Sequence, residues 1–228
     1  GYYYDVLNYA VRLAALLDTL SSVSRMFVPS DKSKKKKQIY PPIWSKCKHK
    51  TGDHLTLLKL FLTFEMHHET ERDWCQKNEI NFLLMKEVKK LEHQLLRTIE
   101  SGPGWDMKEW VIPELKGGGN DIATLPNSAV IPLLKCLTHA LSGQSAIAIS
   151  DSQLKLKPEG RPYLPQNLTI VKKDKYSLLK LRQSDVCLYS FLVIFNKRWN
   201  INYLTSGVNK EWITELVKDS DKHREKIY

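Results

Sequence analysis

The chain has 228 residues, a formal net charge of +10 at pH 7, and hydrophobic residues at 42% of its positions. That fraction can form a substantial core, in one domain or two small ones, and it excludes a chain that is disordered throughout. The positive charge favours a polyanionic partner such as nucleic acid or an acidic membrane surface, although a merely soluble basic domain also fits. No stretch approaches the roughly 18 apolar residues of a membrane-spanning helix, so we expect no membrane partner.

The cysteines and the start of the chain indicate its context. Cys47, Cys75, Cys136 and Cys187 lie far apart and form no Cys-x-x-Cys pair. This spacing predicts neither a zinc site nor a disulfide framework, and isolated thiols are typical of a reducing compartment, the cytosol or nucleus. The sequence enters a helical pattern directly after Gly1, and we therefore expect it to be a segment of a longer protein.

The first half of the chain has helical periodicity. Apolar residues recur at three- and four-residue spacing from Val6 to Leu20. Residues 28–51 are irregular and contain the unbroken run Lys34–Lys37, which predicts a lysine-rich surface loop. That run is typical of a nuclear-localisation patch or a phosphate clamp, and equally of a solvated loop. A second helix is predicted to begin at Asp53, whose carboxylate would cap it, with a broad apolar face from Leu55 to Phe64.

Two further helices and a β-rich half follow. Helices are predicted over Asn81–Ser101, capped by Asn81, and over Ser128–Leu141. A short closing helix is predicted over Asn209–Lys218. The fold class is therefore α+β: a helical bundle over residues 1–142, then a small antiparallel β-barrel with a C-terminal helix over residues 143–228. Its predicted strands are 146–149, 154–157, 168–171, 177–181, 186–195 and 200–205.

No motif predicts a reaction centre. Gly117-Gly118-Gly119 is not followed by Lys-Ser/Thr, so ATP hydrolysis is not expected within these residues. Adjacent histidines at positions 67 and 68 point to different sides of a helix and make a poor metal site. We interpret His54 as a buried, hydrogen-bonded residue. No catalytic residue, metal or cofactor is predicted in this segment.

Basic residues in the second half point to nucleic acid. Many fall at strand ends and turns, interleaved with tyrosines and a tryptophan. Cations that hold phosphates beside aromatic rings that stack on bases are typical of single-stranded nucleic-acid binding by a small barrel. The alternative is that the aromatic residues are half-buried and the lysines only keep the surface soluble. The candidate RNA contacts are Lys155, Lys157, Lys172, Lys173, Lys175, Arg182, Lys197 and Arg198.

Several motifs resemble the C-terminal region of DEAH-box RNA helicases. Gly52–Leu58 is similar, residue for residue, to the Gly-Asp-His-Leu-Thr-Leu-Leu signature of that family's helicase-associated region. Trp74–Ile80 resembles the Trp-Cys-x-x-Asn-x-Ile motif that follows, and Val208–Ile213 is similar to the segment that closes its OB barrel. Where the family often has His-Pro-Ser-Ser, this chain has Arg182–Asp185, in which Ser184 matches a serine and becomes a further candidate RNA contact.

The resemblance implies a ratchet-like helical domain followed by an OB-fold barrel. These domains would roof the RNA channel of an ATP-dependent helicase and grip single-stranded RNA during 3′ to 5′ translocation. ATP and Mg²⁺ would bind RecA-like domains outside this segment, which would themselves be partners. By analogy we expect a nuclear protein, with the nucleolus and ribosome biogenesis as candidates. The alternative is a protein-interaction module that anchors the helicase in a pre-ribosomal or spliceosomal assembly, where an activator or assembly factor would be its partner.

Overall fold

A computed structural model describes residues 6–20, 23–28, 40–102, 117–118, 122–156, 170–173, 177–190, 192–195, 198–201 and 204–215. These residues have an α+β fold in two compact units. The helical unit takes in residues 1–49 and 54–130, and the sheet unit takes in residues 50–53 and 131–228. The sequence predicted a single boundary after residue 142 instead. In the described part of the chain, no helix is both long and apolar enough to cross a membrane.

The described residues of the helical unit form five α-helices, a 3₁₀ helix over Val23–Met26 and a two-stranded ribbon. The short second helix begins at Pro42, a residue suited to the first turn of a helix, and it interrupts the predicted loop 28–51. Strands β1 and β2 pair in antiparallel fashion. The elements are α1 (Leu7–Thr19), α2 (Pro42–Lys46), α3 (Asp53–Met66), α4 (Glu71–Lys77), α5 (Phe82–Glu100), β1 (Gly117–Gly118) and β2 (Ile122–Ala123).

Helix α3 lies at the centre of the helical unit. Most of its residues from His54 to Phe64 are fully buried, including polar Thr56 and Thr63. A helix buried on every side needs partners for its polar groups, and the Thr63 hydroxyl accepts a hydrogen bond from the Ala123 amide at 3.0 Å. The predicted burial of His54 is confirmed, and that burial lowers the pKa of its imidazole to about 3, so the ring is neutral.

Helix α5 confirms the sequence prediction at its start. The Asn81 side chain accepts a hydrogen bond from the Leu84 amide at 3.2 Å, as expected of an N-cap. Helix α1 packs along α5. Arg12 of α1 lies 2.9 Å from the Glu65 carboxylate and 3.2 Å from that of Glu92, with all three side chains nearly buried. Two carboxylates therefore share one guanidinium inside the unit.

The sheet unit contains one open, mainly antiparallel sheet. Its strand order is β7-β8-β5-β4-β3-β6-β9, and only the β5–β8 pair is parallel. No described strand pairing joins β7 to β9, so the described strands form an open sheet. The elements are helix α6 (Asn127–Ala140), which belongs to this unit from Ile131 onward, and strands β3 (Ser145–Ala148), β4 (Gln153–Leu156), β5 (Ile170–Lys172), β6 (Val186–Tyr189), β7 (Leu192–Phe195), β8 (Arg198–Ile201) and β9 (Thr205–Val208).

Three of the strand predictions are wrong. The single strand predicted over 200–205 covers the end of β8 and the start of β9, and Leu204 belongs to neither. The single strand predicted over 186–195 is two strands, with a bend at Ser190 between them. The strand predicted over 177–181 pairs with no other described strand. Its amides bond to carboxylates instead: Leu178 N donates to Asp53 and Leu181 N to Asp151, each at 2.8 Å. Alternating leucines produced a strand-like pattern in a segment that two aspartates hold in place.

A short helix follows the last strand. Residues 210–215 are helical, and the Asn209 side chain accepts a hydrogen bond from the Glu211 amide at 2.9 Å, which confirms the predicted start. Residues 216–218 of the predicted helix lie outside the described residues. We label this helix α7.

Candidate nucleic-acid interface

The outer face of the sheet carries exposed lysines beside isoleucines. Along β4 and β5 buried and exposed residues alternate, because successive side chains of a strand point to opposite faces. Lys155 is directly opposite Ile147 on one side and Ile170 on the other, and Lys172 is opposite Gln153. Cross-strand partners share a face. We call Ile147, Gln153, Lys155, Ile170 and Lys172 the cationic sheet face.

The cationic sheet face has the chemistry to hold a phosphate backbone. Lys155 and Lys172 are exposed, and neither side chain forms an ion pair or hydrogen bond with a described residue. Ile170 is opposite Lys155 and two residues along β5 from Lys172, and it is 55% exposed. Ammonium groups bind phosphates, and an exposed aliphatic side chain offers apolar surface to a ribose or base. No aromatic ring is present among these five residues.

Lys173, also predicted as an RNA contact, has a different environment. Its side chain is only 6% exposed, and its ammonium lies 3.0 Å from Asp151 Oδ1 and donates a hydrogen bond to the Leu179 carbonyl. The Leu181 amide and then the Lys173 ammonium hold the pKa of the Asp151 carboxyl below its usual range. Lys173 therefore positions the segment 177–181 and presents no ammonium to solvent.

Arg182 and Ser184 lie in an exposed turn between that segment and β6. The Arg182 amide donates to Asp185 Oδ2 at 2.7 Å, and the Ser184 amide donates to the Ala148 carbonyl at 2.8 Å. Ser184 has a φ of +70°, a conformation uncommon for residues other than glycine. These bonds fix the turn and leave the Arg182 side chain on the surface.

The other predicted contacts are not placed together by the described structure. Arg198 lies in β8 opposite Phe195, and only its backbone is described. Lys157, Lys175 and Lys197 lie outside the described residues.

The Gly-Asp pair that begins the helicase-like signature is a structural element of the sheet unit. Gly52 has a φ of +123° and bridges Ser206 of β9. A Cβ atom at this position would lie 2.3 Å from the Thr205 carbonyl oxygen, so only glycine fits. The Gly207 amide donates to the Thr51 carbonyl at 2.9 Å. Residues 51 and 52 therefore cover the outer edge of β9.

Asp53 completes this contact and does not cap α3. The residue is 1% exposed, and its carboxylate accepts hydrogen bonds from the Ser177 hydroxyl at 2.5 Å, the Leu178 amide at 2.8 Å and the Thr205 amide at 3.0 Å. The predicted N-cap role is therefore wrong, because all three donors belong to the sheet unit. Burial raises the pKa of the Asp53 carboxyl, and the three hydrogen bonds oppose that effect.

The sequence did not reveal a second feature of the sheet unit. A pocket of about 330 Å³ is lined by separate segments that include Lys50, Lys180 and Trp212. The sequence places Trp212 in the closing helix and in the family-like segment Val208–Ile213, and Lys50 in the loop 28–51, and neither pattern predicts a pocket. No local pattern could have joined them, because the segments lie far apart in the chain.

The described residues offer little support for covalent or metal chemistry. Burial raises the pKa of the thiols of Cys47, Cys75 and Cys187 to about 11, 12 and 12, so these groups stay protonated at neutral pH. No cluster of three or more potential metal ligands occurs in the described ranges.

Comparison with known proteins does not identify a family for this chain. No protein-family model matches the chain, and a search of curated proteins gave no match either.

Proposed function

We propose that this chain is the C-terminal accessory region of an ATP-dependent DEAH-box RNA helicase, and that it grips single-stranded RNA. The observation that carries the proposal is the cationic sheet face, where Lys155 and Lys172, whose side chains pair with no described residue, border the exposed Ile170. In this proposal the helical unit is the ratchet-like domain and the sheet unit the OB-type domain.

The form of the sheet unit supports this assignment. Strands β3, β4 and β5 form an antiparallel meander, and β6 and β9 extend it beside β3. An OB fold is a small, partly open barrel that binds nucleic acid across one strand face and its loops. The signature residues Gly52 and Asp53 have structural roles at the edge of this sheet, which accounts for a Gly-Asp pair at that point of the chain.

The proposed grip is electrostatic and independent of base sequence. Lys155, Lys172 and Arg182 would contact phosphates, while Ile170 would contact sugar or base surface. Such contacts hold a strand in position without reading base edges, as a translocating motor requires. ATP hydrolysis would take place in RecA-like domains of the same protein, with ATP and Mg²⁺ bound there. We propose a nuclear location for the whole protein by analogy only.

Fluorescence anisotropy with fluorescein-labelled hexauridylate tests the proposal. Replacing Lys155 and Lys172 together with alanine should weaken binding and reduce the dependence of log K on log salt concentration by about 1.4, since each neutralised phosphate of a single strand contributes about 0.7. The matched control replaces Lys77 and Lys90, two exposed lysines of the helical unit, with alanine and carries the same change in charge.

Two results would contradict the proposal. If the wild-type chain does not bind hexauridylate at low salt, it is not an RNA-gripping region, and the protein-anchoring alternative gains support. If both double variants lose the same affinity and the same salt dependence, the cationic sheet face is not the site of contact.

A further inference from the structure

A pocket of about 330 Å³ lies within the sheet unit, and none of the five residues of the cationic sheet face lines it, although the lining residue Val186 is the cross-strand partner of Ile147. Aliphatic side chains from helix α6, the segment 177–181 and strands β6 and β9 form part of its lining: Leu134, Leu179, Val186 and Val208. Its size is at the lower end of the range of about 300–1,000 Å³ that is usual for small-ligand sites. It therefore suits one small ligand unit and not a packed helix.

Two cations and an indole ring also line the pocket. Lys50 and Lys180 are exposed, and within the described residues neither is part of an ion pair. Trp212 is half-buried, and the Lys135 ammonium lies 5.7 Å from the centre of its ring, a cation–π contact that restrains the indole. Asp185 also lines the pocket, so its charged side chains are two lysines and one carboxylate beside a restrained aromatic ring.

We infer that this pocket binds one nucleotide of single-stranded RNA, with its base against Trp212 and its phosphates at Lys50 and Lys180. Aromatic stacking with cations that follow the backbone is the usual combination in single-strand recognition. The inference rests on the proposed RNA-binding function but concerns a separate site. Lys155 in β4 and the pocket beside β9 are three strand spacings apart, roughly 14 Å, a distance that a short oligonucleotide can span.

An extended peptide is less well suited to this pocket. Peptides commonly bind a sheet by adding a strand to its open edge. At β9 that edge is already occupied, because the Thr205 amide donates to Asp53 and the Gly207 amide donates to the Thr51 carbonyl. The charged side chains of the lining are Lys50, Lys180 and Asp185, and one Asp185 oxygen already accepts a hydrogen bond from the Arg182 amide at 2.7 Å. The two cations outnumber the one carboxylate and lie with the Trp212 ring, a combination that matches a nucleotide better than an extended peptide.

Hexauridylate binding and photocrosslinking test the inference. Replacing Lys50 and Lys180 together with alanine should weaken hexauridylate binding. It should also reduce the slope of log K against log salt concentration by about 1.4. Trp212→Ala should weaken binding about 5- to 150-fold through the loss of one stacked base. A hexanucleotide that carries 5-iodouridine should crosslink to Trp212 in the wild-type chain. Because this measurement uses only the wild-type chain, it does not depend on whether the variants fold.

A neutral variant separates pocket shape from charge. A Cβ atom at Gly207 would meet Leu179 Cδ1 at 3.9 Å and the Thr51 carbonyl oxygen at 4.0 Å, which are ordinary contacts. Gly207→Ala therefore adds a methyl group at the pocket wall without a clash, and it should weaken hexauridylate binding with an unchanged salt dependence.

Three patterns of results would be decisive against this inference. If the pocket variants bind like wild type, Trp212 does not crosslink, and the Lys155/Lys172 variant still loses affinity, the pocket assignment fails while the proposed function stands. If wild type binds no hexauridylate, both fail. If hexaglutamate binds more tightly than hexauridylate and the pocket variants abolish that binding, the ligand is an acidic peptide and not RNA.

Discussion

Asp53→Ala is the most informative substitution in the sheet unit. The Asp53 carboxylate accepts hydrogen bonds from the Ser177 hydroxyl and from the amides of Leu178 and Thr205. Alanine removes every acceptor at once. The Ser177 hydroxyl can rotate towards another acceptor, but the two backbone amides are fixed by the chain and would be left without one.

The expected loss follows from those two amides. A buried donor without an acceptor costs about 1–3 kcal/mol, so two of them sum to about 2–6 kcal/mol. Residue Leu178 is only partly buried, and removing a buried carboxylate also removes its desolvation cost. We therefore expect the free energy of unfolding to fall by about 2–4 kcal/mol. Ser177→Ala removes one donor and leaves the acceptor in place, and should cost about 1 kcal/mol.

Urea denaturation followed by circular dichroism measures the loss, and hydrogen exchange locates it. The amides of Leu178 and Thr205 should lose protection in Asp53→Ala and keep it in Ser177→Ala. Equal unfolding free energies for the two variants, or retained protection of both amides in Asp53→Ala, would refute the role of Asp53 as the shared acceptor.

Two further predictions concern strain and proton binding. Gly52→Ala should lower the free energy of unfolding by at least about 1–3 kcal/mol, because alanine is strained at a φ of +123° and its Cβ would meet the Thr205 carbonyl. Gly143→Ala, with no atom within 4 Å of the added Cβ, is the control, and equal urea midpoints would contradict the steric argument. Burial raises the pKa of the Glu92 carboxyl from its ordinary 4.5 to about 7. The folded chain therefore binds this proton more tightly than the unfolded chain does. The free energy of unfolding should fall as the pH rises from 4.5 to 7. In urea titrations, Glu92→Gln should reduce that fall in unfolding free energy, and the control Glu87→Gln, at an exposed position, should not. Identical profiles of unfolding free energy against pH for wild type and Glu92→Gln would contradict the raised pKa.

Helix α5 could be predicted because its information is local. Its apolar stripe repeats at helical spacing, and its cap, Asn81, lies three residues from the amide that it accepts. The same local reasoning made Asp53 a helix cap. Its actual partners, Ser177 and Thr205, lie 124 and 152 residues further along the chain, and no neighbouring pattern identifies them.

The candidate nucleic-acid interface also depends on contacts between residues that are far apart in the sequence. The clustering of basic residues at predicted strand ends and turns identified Lys155 and Lys172 as candidate contacts, and the structure places both on one face. Lys173 belongs to the same basic cluster in sequence, yet Asp151 and the Leu179 carbonyl take its ammonium out of solvent. Composition cannot separate these lysines, because the difference depends on which groups the fold brings to each one.

The cover over the outer edge of β9 has a consequence for how the chain folds. An open strand edge is a template for pairing with other molecules and favours aggregation. The residues that cover β9, Thr51 to Asp53, precede it by about 150 residues and are synthesised first, so the cover already exists when β9 emerges. A recombinant segment starting at Ile131 would lack that cover, and we expect it to aggregate through β9. The sheet unit is therefore continuous in space but cannot be excised as one continuous stretch of sequence.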